Sequence, residues 1–291
     1  KVVLEAVPFD LEAVVQNALF MVQERVESKG LELILDFRLA PSLGQVVGDP
    51  LRLGQVLINL LSNAVKFTEH GHVRLRVLAT GGDDKTATIV FRVEDTGIGM
   101  TFEQMGRLFS EFSQADGSTT RKYGGTGLGL AISKRLVAAM HSDLQAESSL
   151  GDGSIFHFTL QLPVIKDVAG DERVAQPLAG RQALVVDDYP PAQQSMIELL
   201  TALGCSRVDG AADGQQALAR LTAGGAAVVG YDLLVIDWAL PDMTGGEVVR
   251  RLQAAGGAMP GAVIVVSACD PAALRQEDLP PAVSDVVQKP L

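Results

Sequence analysis

The sequence of 291 residues predicts two α/β domains in series. In residues 1–163, strand pairs are mixed with helices, which is typical of an α/β sandwich whose mixed sheet carries helices on one face. In residues 181–291, apolar strands alternate with helices, which predicts a doubly wound parallel sheet. Between them, residues 163–180 hold two prolines and several charges without a sustained period, so we interpret residues 164–180 as a linker.

Capping residues mark the helices of the first half. Asp10 precedes apolar residues at helical spacing and Gly30 follows them, which predicts the first helix. Asp49 and Pro50 supply a cap and a first-turn proline for a second helix that runs to about Lys66. The other elements predicted here are strands at 31–38, 73–78, 87–94 and 155–162, a helix that begins with the capping box Thr101/Gln104, and a helix at 131–140.

The sequence of the second half predicts strands that alternate regularly with helices. The expected strands are 183–186, 207–211, 233–236 and 263–266, and the expected helices are 193–203, 215–221 and 247–255. In a doubly wound sheet, the active site lies at the carboxyl ends of the strands.

Composition excludes several function classes. The net charge is −11 and both halves are acidic, which argues against a nucleic-acid-binding surface. Cys205 and Cys269 have no paired spacing, which fits small core residues in a reducing compartment and gives no zinc or disulfide framework. No apolar stretch reaches the roughly 18 residues that cross a bilayer, so we expect a soluble chain, either whole or cut from a longer membrane protein.

Three polar residues share one flank of the predicted second helix. At about 100° per residue, Asn59, Asn63 and Lys66 fall within a sector of roughly 60° beside the apolar stripe. Two amides and an ammonium on one flank can hold a metal ion and phosphate oxygens. For this helix considered alone, the alternative is a solvated polar face.

Two glycine-containing motifs accompany this helix. Asp95-Thr-Gly97-Ile-Gly99 places a carboxylate at a strand end, where it can accept a hydrogen bond from an exocyclic amine such as that of adenine. The run 123–130 (YGGTGLGL) precedes a helix, so its backbone N–H groups can bind polyphosphate. Each motif alone also describes an ordinary turn, and the run fits neither a P-loop nor a dinucleotide fingerprint. The polar flank of the second helix, the Asp95 motif and the glycine run, found together in this order, strongly favour a functional site over ordinary turns.

Residues 5–163 resemble the ATP-binding catalytic domain of sensor histidine kinases, within the larger group of chaperone, type II topoisomerase and mismatch-repair ATPases. The resemblance rests on the segments 59–68, 95–99, 108–114 (LFSEFSQ) and 124–130. It implies a Bergerat-type α/β sandwich that binds ATP and Mg²⁺, with Asn63 as a metal ligand, Asn59 and Lys66 at the phosphates and Asp95 at the adenine amine. The other residues that it assigns to the nucleotide are Gly97, Gly99, Arg121, Lys122, Tyr123, Gly125, Thr126, Gly127, Leu128 and Gly129.

The residue at position 59 separates kinases from hydrolases. Chaperone and topoisomerase ATPases place a glutamate base where this chain has Asn59, and an amide cannot take a proton from water. A stand-alone ATPase is therefore disfavoured, whereas a kinase uses a histidine as the nucleophile. His70, His72, His141 and His157 lack the family's acceptor context, so the resemblance places the acceptor on dimerisation helices N-terminal to Lys1.

Polar residues follow four predicted strands of the second half. The paired carboxylates Asp187 and Asp188 end one strand, Asp237 ends another, and Ser267 and Lys289 follow the last two. Carboxylates that converge at strand tips make an oxygen-rich pocket of the kind that Mg²⁺ prefers. Acidic loop caps are the alternative for a single residue, but polar groups on four tips of one sheet favour a functional site.

Residues 181–291 resemble the receiver domain of two-component response regulators, which has a flavodoxin-like sheet. The resemblance implies that Asp237 takes a phosphoryl group from a phosphohistidine. The implied catalytic residues are Asp237, Ser267 and Lys289, and the implied Mg²⁺ ligands are Asp187, Asp188, Asp237 and the carbonyl of Trp238. Asp242 matches a variable loop and receives no role, Val286 stands where receivers place a switch aromatic, and the chain stops at Leu291, before the usual last helix.

Together the two resemblances predict part of a hybrid sensor histidine kinase. Phosphoryl groups would pass from ATP to an external histidine, then to Asp237, and onward to a histidine phosphotransfer protein or a response regulator. The full-length protein would be a dimer, and this part cytoplasmic, alone or as part of an inner-membrane sensor. The alternative is a receiver that regulates or inhibits the kinase core with little phosphotransfer.

Overall fold

The chain divides into two units in the computed structural model, residues 1–174 and 175–291. The structure describes residues 3–39, 45–82, 85–109, 128–165, 177–222, 230–256, 258–268, 274 and 279–289. The division falls within the proposed linker, and the domain limits at 163 and 181 stay a prediction.

Caps fix the helices of the first unit. These helices are α1 (Leu11–Lys29), α2 (Pro50–Phe67), α3 (Phe102–Arg107) and α4 (Gly129–Ala139). The Asp10 carboxylate accepts hydrogen bonds at the start of α1, and Gly30 ends that helix in the left-handed region at φ 64°. Asp49 caps α2 with Pro50 as its first residue, and the Thr101 capping box is present at α3.

A mixed sheet forms the other layer of the first unit. Its strands are β1 (Val7–Phe9), β2 (Glu32–Arg38), β3 (Gln45–Gly48), β4 (His72–Gly82), β5 (Thr86–Asp95), β6 (Gln145–Ser149) and β7 (Gly153–Ile165). The order among the described residues is β1-β3-β7-β5-β4-β2, with β6 also paired to β7. The β2–β4 pair is parallel and the other pairs are antiparallel.

The helices pack on one face of this sheet. The apolar stripes of α1, α2 and α4 share one core with alternate residues of β4, β5 and β7, where Phe91 and Phe158 stack with ring centroids 4.9 Å apart. The intervening residues of β4 and β5, such as Arg74, Arg92 and Glu94, form ion pairs on the opposite face. This confirms the predicted sandwich with helices on one face.

The second unit is a parallel sheet. Its strands are β8 (Gln182–Val186), β9 (Arg207–Ala211), β10 (Leu233–Asp237), β11 (Ala262–Ser267) and β12 (Asp285–Gln288), and its helices are α5 (Pro190–Ala202), α6 (Gly214–Thr222) and α7 (Gly245–Ala254). The order is β12-β11-β10-β8-β9, and every pair is parallel.

Both faces of this sheet are buried. Leu234 and Ile236 of β10 face a core that includes Val248 and Val249 of α7. Leu233 and Val235, one residue out of phase, face a second core with Leu200 of α5. A parallel strand buried on both faces needs a continuous apolar run, so the prediction of a doubly wound sheet is confirmed.

Several predicted boundaries were wrong. β1, β3 and β6 were not predicted, because three to five residues are too few to establish a period. β7 runs past the predicted end at Leu162 to Ile165, because Val164 and Ile165 pair with β3. α5 begins three residues early, since proline is tolerated in the first turn. Within the described part of the chain, no helix is long and apolar enough to span a membrane.

Candidate functional site

The α2 helix carries the first set of predicted site residues. Its buried stripe fixes its rotation, so Asn59, Asn63 and Lys66 lie half-buried along one flank. The Lys66 ammonium lies over the Phe67 ring, 4.7 Å from its centroid, and burial lowers the pKa of this lysine. Two amide side chains and a cation thus lie on one side of a rigid helix.

Asn59 joins α2 to α4. Its Nδ2 donates a hydrogen bond to Ser133 Oγ at 2.9 Å, and Ser133 is almost completely buried. Gly129 lies against the same amide, so that a Cβ at position 129 would overlap Asn59 Oδ1. The orientation of the amide is therefore fixed by α4. Ser133 was not predicted, although its position four residues after Gly129 places both on one face of α4.

Asp95 ends β5 in a buried environment. Only 8% of the residue is exposed, and burial raises the pKa of its carboxyl to about 6. The backbone N–H groups of Gly97, at 2.9 Å, and Ser154 oppose that shift by bonding the carboxylate. The carboxylate keeps further acceptor capacity, which can take a hydrogen bond from an amine.

Gly97 and Gly99 allow close backbone contacts beside Asp95. A Cβ at Gly97 would lie 2.5 Å from the Phe67 carbonyl oxygen at the end of α2. Gly99 has φ 64° and lies against the Ser149 carbonyl, where a side chain would overlap the β6–β7 turn. The segment 95–99 is therefore packed between α2 and that turn.

Lys29 supports this junction and was not predicted from the sequence. Its Nζ donates to the carbonyl oxygens of Val65, Lys66 and Thr68 at 2.6, 3.0 and 2.9 Å. These acceptors are at the carboxyl end of α2, where a cation also interacts favourably with the helix dipole. No local sequence pattern marks a contact between residues so far apart in the chain.

Part of the predicted nucleotide site lies outside the described residues. That part comprises Arg121, Lys122, Tyr123, Gly125, Thr126 and Gly127. Leu128 directly precedes α4 and Gly129 is its first residue. Gly129 reaches Asn59, so the carboxyl end of the glycine run lies beside the Asn59 flank of α2.

The second set of site residues converges at the carboxyl ends of β8 and β10. Asp187, Asp188 and Asp237 each place a carboxylate oxygen within 4.8 Å of the others. Lys289 Nζ donates to Asp237 Oδ2 at 2.8 Å and to Asp187 Oδ2 at 3.2 Å. Asp187 and Asp237 are buried, and Asp188 is exposed. Three close carboxylates fit a hard divalent cation such as Mg²⁺.

Burial dominates the electrostatics at Asp187. It raises the pKa of this carboxyl to about 6, although Lys289 and the Tyr189 N–H act in the opposite direction. Ser267 is buried at the end of β11, and its carbonyl accepts the Lys289 N–H at 2.8 Å. Lys289 therefore contacts the acidic group directly through its side chain, and Ser267 is joined to Lys289 by a backbone hydrogen bond.

The predicted metal ligand at Trp238 has another partner. Its carbonyl accepts the N–H of Gly245 at 2.9 Å, so one lone pair is used within the fold. The indole ring lies against Gly246, where a Cβ would be 2.8 Å from the ring. Val286, in the place of the switch aromatic, is buried in the core with Val263 and Val265.

Two known protein families match the chain, one in each of its two structural units. Residues 48–164 match the family of histidine kinase-, DNA gyrase B- and HSP90-like ATPases, and residues 183–291 match the response regulator receiver domain. The chain is therefore a histidine kinase ATPase domain followed by a receiver domain. The predicted likeness to hybrid sensor histidine kinases is confirmed, and the first domain is a kinase catalytic domain.

The chain spans between about a fifth and a third of the length of the two curated relatives GacS and ArcB. It is 40% identical to sensor histidine kinase GacS of Pseudomonas protegens over 70% of the segment and 22% of GacS. It is 34% identical to aerobic respiration control sensor protein ArcB of Escherichia coli, over 100% of the segment and 36% of ArcB. The fold resembles full-length ShkA in complex with AMPPNP, with a TM-score of 0.55, 24% identity, and coverage of 100% of the segment and 82% of ShkA.

Proposed function

We propose that this segment carries two successive steps of a phosphorelay. The first unit binds Mg-ATP and transfers its γ-phosphoryl group to a histidine on a dimerisation helix that is not among these residues. Asp237 of the receiver then takes the phosphoryl group, which passes on to a histidine phosphotransfer protein or a response regulator. A cytoplasmic location and a dimeric full-length protein remain predictions.

In the first step, each residue has a defined task. Asp95 accepts a hydrogen bond from the adenine amine, and its buried position makes that bond selective for a base with a donor there. Asn59 and Lys66 bind phosphate oxygens, and Asn63 would hold Mg²⁺, which would neutralise phosphate charge. Asn59 does not act as a base for water, because its amide donates to Ser133 and cannot take a proton.

In the second step, a carboxylate oxygen of Asp237 attacks the phosphorus of the phosphohistidine. The P–N bond breaks, its electron pair returns to the imidazole nitrogen, and an acylphosphate forms on Asp237. Lys289 already contacts the Asp237 carboxylate at 2.8 Å, and from that position it can stabilise the negative charge of the transferred group. We assign the Ser267 hydroxyl to the oxygens of the transferred phosphoryl group.

The acidic group would hold Mg²⁺ through Asp187, Asp188 and Asp237. The ion would supply charge neutralisation for the phosphoryl oxygens. The Trp238 carbonyl would bind the ion through its second lone pair, because the first accepts the Gly245 N–H.

One observation carries this proposal. The buried, lysine-paired Asp237 and two further carboxylates lie at strand tips of the same chain that carries the Asn59 flank and Asp95. This combination supports the proposal that a phosphoryl acceptor and a nucleotide-binding domain lie in the same chain.

The test combines this chain with a separately made acceptor-helix segment and ATP labelled in the γ-phosphate. We expect acid-labile label on the acceptor histidine, followed by acylphosphate on the chain. Asn63→Ala should abolish both products, whereas Asp237→Asn should abolish only the acylphosphate. Absence of label on the acceptor histidine would disprove the kinase step. A receiver that only inhibits the kinase would give histidine label without acylphosphate in the unmodified chain.

A further inference from the structure

Asp242 connects the loop after the phosphoacceptor to the next helix. Its Oδ1 accepts the Gly214 N–H at 2.9 Å and its Oδ2 accepts the Gln215 N–H at 3.0 Å. Both donors belong to the first turn of α6, 27 or more residues away in the chain. Burial alone would raise the pKa of Asp242, but these backbone donors hold it below the usual value, so the group is a carboxylate at neutral pH.

The loop 238–244 reaches the acceptor itself. The Ala239 N–H donates to Asp237 Oδ1 at 3.3 Å, and Ala239 forms an antiparallel bridge with Thr244. Met243 packs on Gly214, where a Cβ would lie 2.5 Å from Met243 Cγ. The loop is thus attached at one end to the Asp237 carboxylate and near its middle to α6.

We propose that Asp242 is a positioning residue for phosphoryl transfer at Asp237. Its two hydrogen bonds hold the loop 238–244 against α6, and the loop in turn orients the Asp237 carboxylate through the Ala239 N–H. This inference rests on the proposed role of Asp237 as phosphoacceptor. Among the described residues, the Asp242 side chain is not hydrogen-bonded to Asp187, Asp188, Asp237 or Lys289, so we assign it an action through the loop.

Asp213 provides a matched control for helix capping. Its Oδ1 accepts the Gln216 N–H at 2.7 Å, so it caps the same helix, α6, from the residue directly before it. Asp213 has no hydrogen bond to the loop 238–244 among the contacts of the described residues. Asp213→Ala and Asp242→Ala therefore both remove carboxylate acceptors from the start of α6, but only the second detaches the loop.

The experiment follows phosphorylation of the full chain by acetyl phosphate with Mg²⁺. A carboxylate oxygen of Asp237 bonds to phosphorus, the P–O bond to the acetyl group breaks, and acetate leaves. We expect Asp242→Ala to slow acylphosphate formation roughly three- to tenfold, because reacting groups lose alignment, and Asp242→Asn to be intermediate. Asp213→Ala should stay within about twofold of the unmodified chain. Equal rates in the two alanine variants would overturn the inference.

Amide hydrogen exchange separates this inference from the proposed function. If the unmodified chain forms no acylphosphate, or if the Asp237→Asn variant still forms one, the assignment of Asp237 as the phosphoacceptor fails. In that case exchange still decides whether Asp242 positions the loop. We expect faster exchange across 238–245 in Asp242→Ala and not in Asp213→Ala. Unchanged exchange in this loop, or the same increase in both variants, would contradict the positioning role.

Discussion

Asp95 is the predicted contact of the adenine amine, and it lies in a buried environment that disfavours its negative charge. The sequence identified the residue because it ends a strand before two glycines. The sequence could not reveal that burial raises its pKa from 3.8 to about 6, since that depends on how β5, β7 and the end of α2 enclose it. Burial in the unliganded domain therefore makes ionisation of this carboxyl less favourable than it is in water.

Asp95→Asn should stabilise the unliganded first unit at pH 7.5 by about 1 to 3 kcal/mol. The folded-state pKa is raised, so the folded state holds its proton more tightly, and its stability falls as pH rises from about 4 to 6. The gain should therefore vanish near pH 4. ATP affinity should fall roughly 10- to 100-fold, because a charged acceptor is lost.

Thermal unfolding at both pH values and calorimetric titration with ATP measure these effects. Asp152→Asn, at an exposed position of the nearby turn, is the control and should change neither quantity. A lower unfolding temperature for Asp95→Asn at pH 7.5 would contradict the proposed cost of the buried charge.

Position 129 needs a glycine because a side chain there would collide with Asn59, and not because of its backbone angles. A methyl group there would displace the Asn59 amide. We expect Gly129→Ala to destabilise the unit by about 1 to 3 kcal/mol and to weaken ATP binding roughly tenfold. Gly106→Ala is the control, because a Cβ at position 106 meets open space and should be neutral or slightly stabilising. Similar ATP affinities in both variants would count against a role for Asn59 at the phosphates.

At the scale of elements, long periodic segments were predicted well and short pairings were not. The apolar stripe of α2 and its cap fixed that helix almost to the residue. β3 and β6 exist because β7 offers edges to pair with, and this is tertiary information. The contact of Lys29 with the end of α2 likewise depends on how α1 packs beside it.

Lys29→Met should loosen the junction between α2 and segment 95–99. Three hydrogen bonds to α2 carbonyls are lost, so we expect the free energy of unfolding to fall by about 1 to 3 kcal/mol and ATP binding to weaken several-fold. Urea unfolding and ATP titration are the measurements. Arg25→Met, exposed on the same helix, is the matched control. If both variants bind ATP like the unmodified chain, Lys29 contributes stability only.

At the scale of the whole molecule, each unit has its own buried core. The periodicity of the sequence predicted both fold classes, because strands buried on one face alternate and those buried on both faces do not. The strand order of the first sheet could not be predicted, since β7 pairs at different points of its length with β3, β5 and β6.

Thermal unfolding of the chain should show two transitions that respond to different ligands. ATP with Mg²⁺ at 100 times its Kd should stabilise the first unit by about 2.7 kcal/mol. Mg²⁺ alone should raise only the transition of the second unit. Asn63→Ala should abolish the ATP response and Asp237→Asn the response to Mg²⁺ alone, as calorimetry can show. A single transition raised by either ligand would contradict separate unfolding.

Trp238 is the single tryptophan of the chain, it directly follows Asp237, and its ring lies against Gly246. Indole emission under selective excitation therefore originates at the receiver site alone, and the kinase domain is optically silent. The protein carries an intrinsic fluorescent probe at the position where its second proposed reaction takes place. Any change of indole emission when Asp237 is phosphorylated would accordingly report on the receiver alone, without an attached dye or an introduced residue.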